Sequence, residues 1–286
     1  MRSFLFVPGD SARKFDKARQ GAADALIIDL EDSVALDRKD EARGITREML
    51  GAGRSAQKLY VRVNAVDTGR TLADIAAVLP ARPDGITLPK CESAEQLRQV
   101  SLWLDGVEAG VGIPVGTTKI IAIATETAAS IFGLGSYGGV TPRLEGLMWG
   151  AEDLSASLGA TENGGSGSYH SPYRLARDLC LMGAAAAGVA AIDTVYTAIE
   201  DLEGLAVEAR AARRDGFSAK AVIHPKHVDA VNAAFTPTED EVTWAHRIVD
   251  AFAADQQLGV VRIHGKMIDK PHLRAAEKIL AAAGTR

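Results

Sequence analysis

Ile120-Ile121-Ala122-Ile123-Ala124 and Gly146-Leu147-Met148-Trp149-Gly150 carry the reading of the whole chain. Both are short apolar runs, of the length expected for strands buried on both faces rather than for helices. Each delivers an acid just past its end, Glu126 from the first and Asp153 from the second. If the runs are parallel strands, their carboxyl ends lie side by side. Two carboxylates emerging there, without an obvious basic partner nearby, form a hard-oxygen pocket suited to Mg²⁺. The same pattern fits acids that open the following helix, where the helix dipole favours negative charge. The pair alone leaves both readings open.

Working outward, the pattern of apolar run followed by polar-faced stretch repeats. Strands are predicted over 3–7, 24–30, 59–63 and 85–88, each followed by a helical stretch, over 11–20, 37–50, 71–79 and 93–104. A helix start at Thr127 and a loose segment over 133–139 separate the two opening runs. A second glycine-rich loop over 162–169 precedes an Ala-rich helix over 172–188. Strands over 191–196 and 218–223 follow, with helices over 202–214 and 226–234. Eight strands alternating with eight helical stretches predict an α/β fold, a (β/α)8 TIM barrel. A doubly wound open sheet is the structural alternative. It is weakened because Val7-Pro8-Gly9-Asp10-Ser11 is not a dinucleotide-binding turn, and no Walker-type loop is present.

Residues 236–286 break the repeat. Thr238 with Glu241 three residues on is a capping-box start, 260–263 turns at His264-Gly265 into 266–269, and a last helix runs over 271–283. The chain therefore divides into a barrel over 1–235 and a helix-hairpin-helix extension over 236–286. The extension is too short to hold a core alone, so it is expected to pack on its own barrel or a neighbouring subunit.

The 286 residues are 47% hydrophobic but only 5% aromatic, so aliphatic side chains fill the core, as layered strands and helices require. The formal net charge of −5, with no run of like charge, argues against a nucleic-acid partner and a polybasic membrane surface. No apolar run approaches membrane-spanning length, and Pro8-Gly9 cuts the first too short for a signal peptide. Two cysteines without metal-ligand spacing fit a reducing compartment, and the protein is expected in the cytoplasm.

At the carboxyl ends of the predicted strands stand Pro8-Gly9, Glu31-Asp32, Arg62 with Asn64, Lys90, Glu126, Asp153, Asp193 and His224. Four of these acids, Glu31, Asp32, Glu126 and Asp153, come from three strands; with an arginine inside a strand they are more than helix capping requires, and they favour a metal site. A buried guanidinium is costly unless paired. Arg62 either bridges to Glu31 or Asp32 or holds a substrate carboxylate or oxyanion, and both roles can coexist. His224 and His227 have no partner at metal spacing, and Cys91 has no evident base beside it; all three read as structural.

Seven blocks in this order carry a family resemblance: Arg2-Ser3 with Leu5-Phe6-Val7-Pro8-Gly9, Asp29-Leu30-Glu31-Asp32-Ser33-Val34, Val61-Arg62-Val63-Asn64, Glu126-Thr127-Ala128, residues 150–154, Asp193-Thr194-Val195-Tyr196 and Ile223-His224-Pro225. Together they resemble the citrate lyase β-subunit-like (CitE-like) CoA-ester lyases of the HpcH/HpaI aldolase superfamily, over nearly the whole chain. The resemblance implies a Mg²⁺-dependent aldol-type lyase on a TIM barrel. It assigns Glu126 and Asp153 as metal ligands, Arg62 as the contact to substrate oxygens, Glu31 and Asp32 as the acidic block behind the metal and its waters, and Arg2 and Lys14 toward the CoA phosphates. Gly265-Lys266-Met267-Ile268-Asp269-Lys270-Pro271 resembles the C-terminal segment of malyl-CoA and citramalyl-CoA lyases. There the aspartate is the acid/base and comes from an adjacent subunit. That implies Asp269 as proton carrier in a homotrimer or dimer of trimers; read without the resemblance, Asp269 is a helix cap. The expected reaction joins acetyl-CoA and a 2-oxo acid into a 3-hydroxyacyl thioester or cleaves it. Citrate lyase β-subunit activity on a carrier-protein thioester, malyl-CoA thioesterase activity and acyl-CoA binding without turnover are the alternatives. At strand eight Ala219-Lys220 and His227 depart from the family pattern.

Overall fold

The computed structural model describes residues 1–53, 55–165, 168–254 and 259–284, so two positions of the expected loop over 162–169 lie outside the described residues. The chain forms two compact units, Met1–Asn232 and Ala233–Arg286.

In the first unit the order is β1 (Ser3–Pro8), α1 (Ala12–Arg19), β2 (Ala25–Asp29), α2 (Lys39–Gly51), β3 (Lys58–Arg62), α3 (Thr71–Val78), β4 (Gly85–Leu88), α4 (Ala94–Gly110), β5 (Lys119–Ile123), α5 (Ala128–Ile131), β6 (Leu144–Met148) and α6 (Glu152–Leu158). It continues with a two-stranded β7 (Gly164–Gly165) and β8 (Ser168–Tyr169), α7 (Ser171–Ala187), β9 (Ala190–Asp193), α8 (Leu202–Asp215), β10 (Ala219–Val222) and the start of α9 (Val228–Phe235), within which the division falls. Strands β1 to β6, β9 and β10 close into a barrel, every neighbouring pair parallel, as the alternation predicts.

Strand alternation sends one set of side chains inward, and Phe4, Ile27, Tyr60, Ile121, Met148 and Ile192 meet there in a buried cluster. A fully buried side chain of this size contributes about 1.5–3 kcal/mol. Size is matched across the barrel: Gly85 pairs with Tyr60 in register, and a Cβ at Gly85 would stand 2.7 Å from the Tyr60 ring. The alternate positions of the same strands face the helices and are filled by Leu26, Ile28, Val61 and Ile86, all fully buried.

Three details differ from the expectation. Helix α6 follows β6 directly, a short element absent from the predicted alternation although Asp153 is read as a possible helix opener; Ser155 and Ser157 weaken its propensity. Helix α4 continues to Gly110 because buried Glu108 on its last turn pairs with Arg143 and accepts from the backbone of Gly116 and Thr118. Both opening runs also end earlier as strands, at Ile123 and Met148.

The second unit contains α10 (Glu239–Ala253), β11 (Val260–Ile263), β12 (Lys266–Asp269) and α11 (Lys270–Ala282). Thr238 and Glu241 form the expected capping box. His264 and Gly265 both take positive φ, 48° and 78°, as a two-residue hairpin turn requires. Contrary to the expectation from its size, the segment gathers a small core of its own from Ala245, Ile248, Phe252, Ile268 and Ala276.

Candidate active site

A cavity of about 440 Å³ opens at the carboxyl ends of the barrel strands, lined among others by Asp29, Asp32, Arg62, Glu126, Asp153 and Thr194. Its charged wall begins with register. Asp29 ends β2 and Arg62 ends β3, and the two are Cα partners. Arg62 Nε and Nη2 donate to the two oxygens of Asp29, each at 2.7 Å, and its guanidinium lies 4.9 Å from the Phe6 ring centroid. The same carboxylate accepts from the backbone N–H of Glu31 (2.9 Å) and Ser33 (3.1 Å), while Lys39 Nζ donates to Leu30 O at 2.7 Å. Burial alone would push the Asp29 carboxyl up, but the charge and donors of Arg62 hold it below the usual carboxylate range. Burial opposes the charge on Arg62, and Asp29, Glu31 and Glu126 outweigh it.

Glu126 is buried beside this pair. Its Oε2 accepts from the Lys90 backbone N–H at 2.6 Å, and a Cβ at Gly150 would lie 3.0 Å from its Cγ, so glycine is what admits it. The loops bearing the two acids are tied together where Gly150 N–H donates to Thr125 Oγ1 at 2.9 Å. Asp153 stands in the first turn of α6 and lines the same cavity, so the helix-start and pocket readings of this acid both hold. Burial, then the charges of Glu31 and Asp153, push the Glu126 carboxyl up to about 8. Burial likewise pushes Glu31 up to about 6, although Arg62 and Lys90 counteract it.

The sequence sets Lys90 among the strand-end residues without pairing it to an acid, and the structure makes it their partner. Lys90 Nζ lies 2.6 Å from Glu31 Oε1, 3.3 Å from Asp153 Oδ1 and 3.6 Å from Asp32 Oδ2. Glu31 Oε2 is 3.0 Å from Arg62 Nη1 but is buried without a hydrogen-bond partner. Arg62 does bridge to Glu31 and, at 3.7 Å, to Asp32, yet its main partner is Asp29, which reads in sequence as the end of an apolar strand. Only the register of β2 on β3 could have revealed it.

Other predicted residues lie elsewhere. Arg2 precedes β1, at the amino ends of the strands, where it pairs with Asp24 at 2.7 Å, while the cavity opens at their carboxyl ends. Lys14 is exposed in the first turn of α1, with no ion pair among the described residues. Asp193 turns toward the helix layer, where it accepts from Trp149 Nε1 (2.6 Å) and the buried Lys220 (2.7 Å). His227 is buried, with Nε2 3.0 Å from Ile199 O, as a structural histidine would be. Asp269 belongs to the second unit, ends β12, and lies 2.6 Å from His272 Nδ1. It caps α11, as its reading without the resemblance expects.

The donor set fits a hard divalent cation. Glu126 and Asp153 face one cavity, and a buried oxygen of Glu31 stands without a donor. Among the described residues no three His, Cys, Asp or Glu side chains gather as a closed metal cage. Mg²⁺ does not need one, since it is commonly held by one or two carboxylates and keeps several waters.

Comparison with known proteins agrees with this geometry. The family model described as HpcH/HpaI aldolase/citrate lyase matches residues 2–225. The citrate lyase subunit beta of Leuconostoc mesenteroides subsp. cremoris is 33% identical over 285 residues, covering 99% of this chain and 93% of its own. A (3S)-malyl-CoA thioesterase of Cereibacter sphaeroides is 35% identical over 289 residues, covering 99% and 94%. Among solved structures, the protein CitE from Mycobacterium tuberculosis in complex with magnesium, acetoacetate and coenzyme A is 33% identical, with a TM-score of 0.80 and coverage of 99% and 98%. The barrel, its paired carboxylates and these matches together make the chain a member of the HpcH/HpaI aldolase/citrate lyase family.

Proposed function

We propose that this chain is a Mg²⁺-dependent carbon–carbon lyase and condensing enzyme. It interconverts a 3-hydroxy-3-carboxyacyl-CoA, of the malyl-CoA or citramalyl-CoA type, with acetyl-CoA and a 2-oxo acid. The observation that carries this reading is the cavity in which Glu126 and Asp153 face an arginine locked onto Asp29.

Glu126 and Asp153 would hold the metal, which when bound polarises the oxygens of the hydroxy acid. Cleavage breaks the bond between the second and third carbons. Its electron pair becomes a thioester enolate, the hydroxyl gives its proton to solvent as the 2-oxo acid forms, and the second carbon gains one through Asp269, which is reprotonated from solvent, so no net proton is made or lost. Arg62 stabilises the developing charge, because Asp29 fixes Nε and Nη2 while Glu31 stands 3.0 Å from Nη1, so the guanidinium is held in one orientation at the cavity. Glu31 and Asp32 stand behind, orienting Arg62 and Lys90. Asp269 gives the enolate its proton and, in the reverse direction, removes it from acetyl-CoA. The hydrogen bond with His272 holds its carboxyl below the usual range, the ionised form that condensation requires. In this reading Asp269 serves the cavity of an adjacent subunit in a homotrimer or dimer of trimers, residues 236–286 form the extension that packs there, and Lys14 is offered to the CoA phosphates. Two buried free thiols, Cys91 and Cys180, suit the cytoplasm, and no helix among the described residues is long and apolar enough to cross a membrane.

The test is incubation with Mg²⁺, acetyl-CoA or propionyl-CoA, and glyoxylate, pyruvate or oxaloacetate, with products weighed by mass spectrometry. A condensed hydroxyacyl-CoA that disappears when Mg²⁺ is chelated supports the proposal, and no carbon–carbon product with any pair refutes it. The relative named malyl-CoA thioesterase gives a second reading weight, and release of free CoA from malyl-CoA without a 2-oxo acid would favour it. Turnover only on a carrier-protein thioester would favour citrate lyase β-subunit activity.

A further inference from the structure

Lys90 makes more of the contacts among the site acids than either proposed metal ligand. It follows β4 with φ at 48°, the left-handed region that glycine favours and lysine rarely adopts. That conformation lets one residue act in two directions. The backbone N–H donates to Glu126 Oε2 at 2.6 Å, while the ammonium turns to Glu31, Asp32 and Asp153 at 2.6, 3.6 and 3.3 Å. Arg62 is committed first to Asp29 and also reaches Glu31 at 3.0 Å and Asp32 at 3.7 Å, whereas the Lys90 ammonium reaches Asp153 as well.

We propose that Lys90 is the positioning residue of the metal site: its N–H aims Glu126, and its ammonium stands in for the cation, holding Asp153 in place until a divalent ion displaces it. This rests on the metal reading given above. A positive charge that holds the carboxylates together also opposes an incoming divalent ion, so the same side chain stabilises the metal-free fold and weakens metal binding. A lysine with a merely structural role would not do the second.

The experiment compares the unaltered chain with Lys90→Gln, Lys90→Gly and Lys90→Arg, all stripped with chelator. Mg²⁺ is titrated by calorimetry, and melting is followed with and without the ion. Gln removes the charge. Gly also removes it but keeps the N–H and suits the backbone, which guards against misfolding. We expect both neutral variants to melt lower without metal yet bind Mg²⁺ at least about tenfold more tightly, a gain of about 1.4 kcal/mol. Lys90→Arg keeps the charge and should stay within about threefold of the unaltered chain. Equal or weaker Mg²⁺ binding by both neutral variants overturns the proposal while leaving the metal reading intact. Absence of Mg²⁺ binding by the unaltered chain overturns both.

Discussion

Replacing Glu126 with glutamine separates what the site costs the fold from what it supplies to chemistry. Without metal, burial and the charges of Glu31 and Asp153 push the Glu126 carboxyl up to about 8, against an ordinary value of 4.5. A carboxyl raised on folding binds its proton in the native state and releases it in the unfolded chain, so stability falls as pH rises from about 4.5 and levels off above about 8. The penalty grows by about 1.4 kcal/mol per pH unit, reaching about 3 kcal/mol at pH 7. Glutamine keeps an oxygen for the Lys90 N–H and removes the titration. The chelated variant should therefore be about 1–3 kcal/mol more stable at pH 7, raising Tm by about 2–4 °C per kcal/mol, with the gain vanishing near pH 5. It should also lose Mg²⁺-dependent turnover and the rise in Tm on adding Mg²⁺. Calorimetric melting across pH 5–8 reads both effects. A Glu126→Gln chain that melts at or below the unaltered one throughout this range would refute the reasoning.

Asp29→Asn leaves Arg62 buried with only Glu31 and Asp32 in range, so stability should drop by about 3 kcal/mol in urea denaturation. An unchanged midpoint would mean that Arg62 does not depend on this pair. Because Glu126 holds a proton at neutral pH, Mg²⁺ binding should release close to one proton per ion near pH 7 and fewer above pH 9. Titrations in buffers of different ionisation enthalpy measure this, and buffer-independent heats would contradict it. Asp269→Asn should lower condensation by about 10²–10⁴-fold with Mg²⁺ affinity unchanged. Co-assembly of Asp269→Asn with Glu126→Gln chains should restore about a quarter of full activity if each site draws on two subunits of a closed ring. No recovery would place the proton carrier elsewhere.

The barrel was legible because each strand is a short apolar run closed by a polar turn, a signal that survives errors of one or two residues at the ends. Site residues that project from strand ends, Glu126, Asp153 and Glu31, were legible for the same reason. What escaped depended on register or backbone conformation. Asp29 looks like the polar end of an apolar strand until β3 lies beside it and places Arg62 opposite. Lys90 stands with the acids at the strand ends already in the sequence, but that its ammonium turns among them follows only from its positive φ. Conversely, Asp193 sits at a strand end as Glu126 nearly does, yet the alternation of β9 sends it to Trp149 and Lys220. Arg2, which the resemblance offers to the CoA phosphates, stands at the amino ends of the strands and pairs with Asp24, a partner the sequence did not suggest.

Whether Glu126 and Asp153 converge on one divalent ion beside Arg62 is tested most directly by crystals soaked in Mn²⁺, a substitute for Mg²⁺ that scatters anomalously. One strong peak is expected in the barrel cavity, bonded at about 2.1 Å to oxygens of both carboxylates. A peak that contacts neither, or an empty cavity at saturating Mn²⁺, would contradict that convergence.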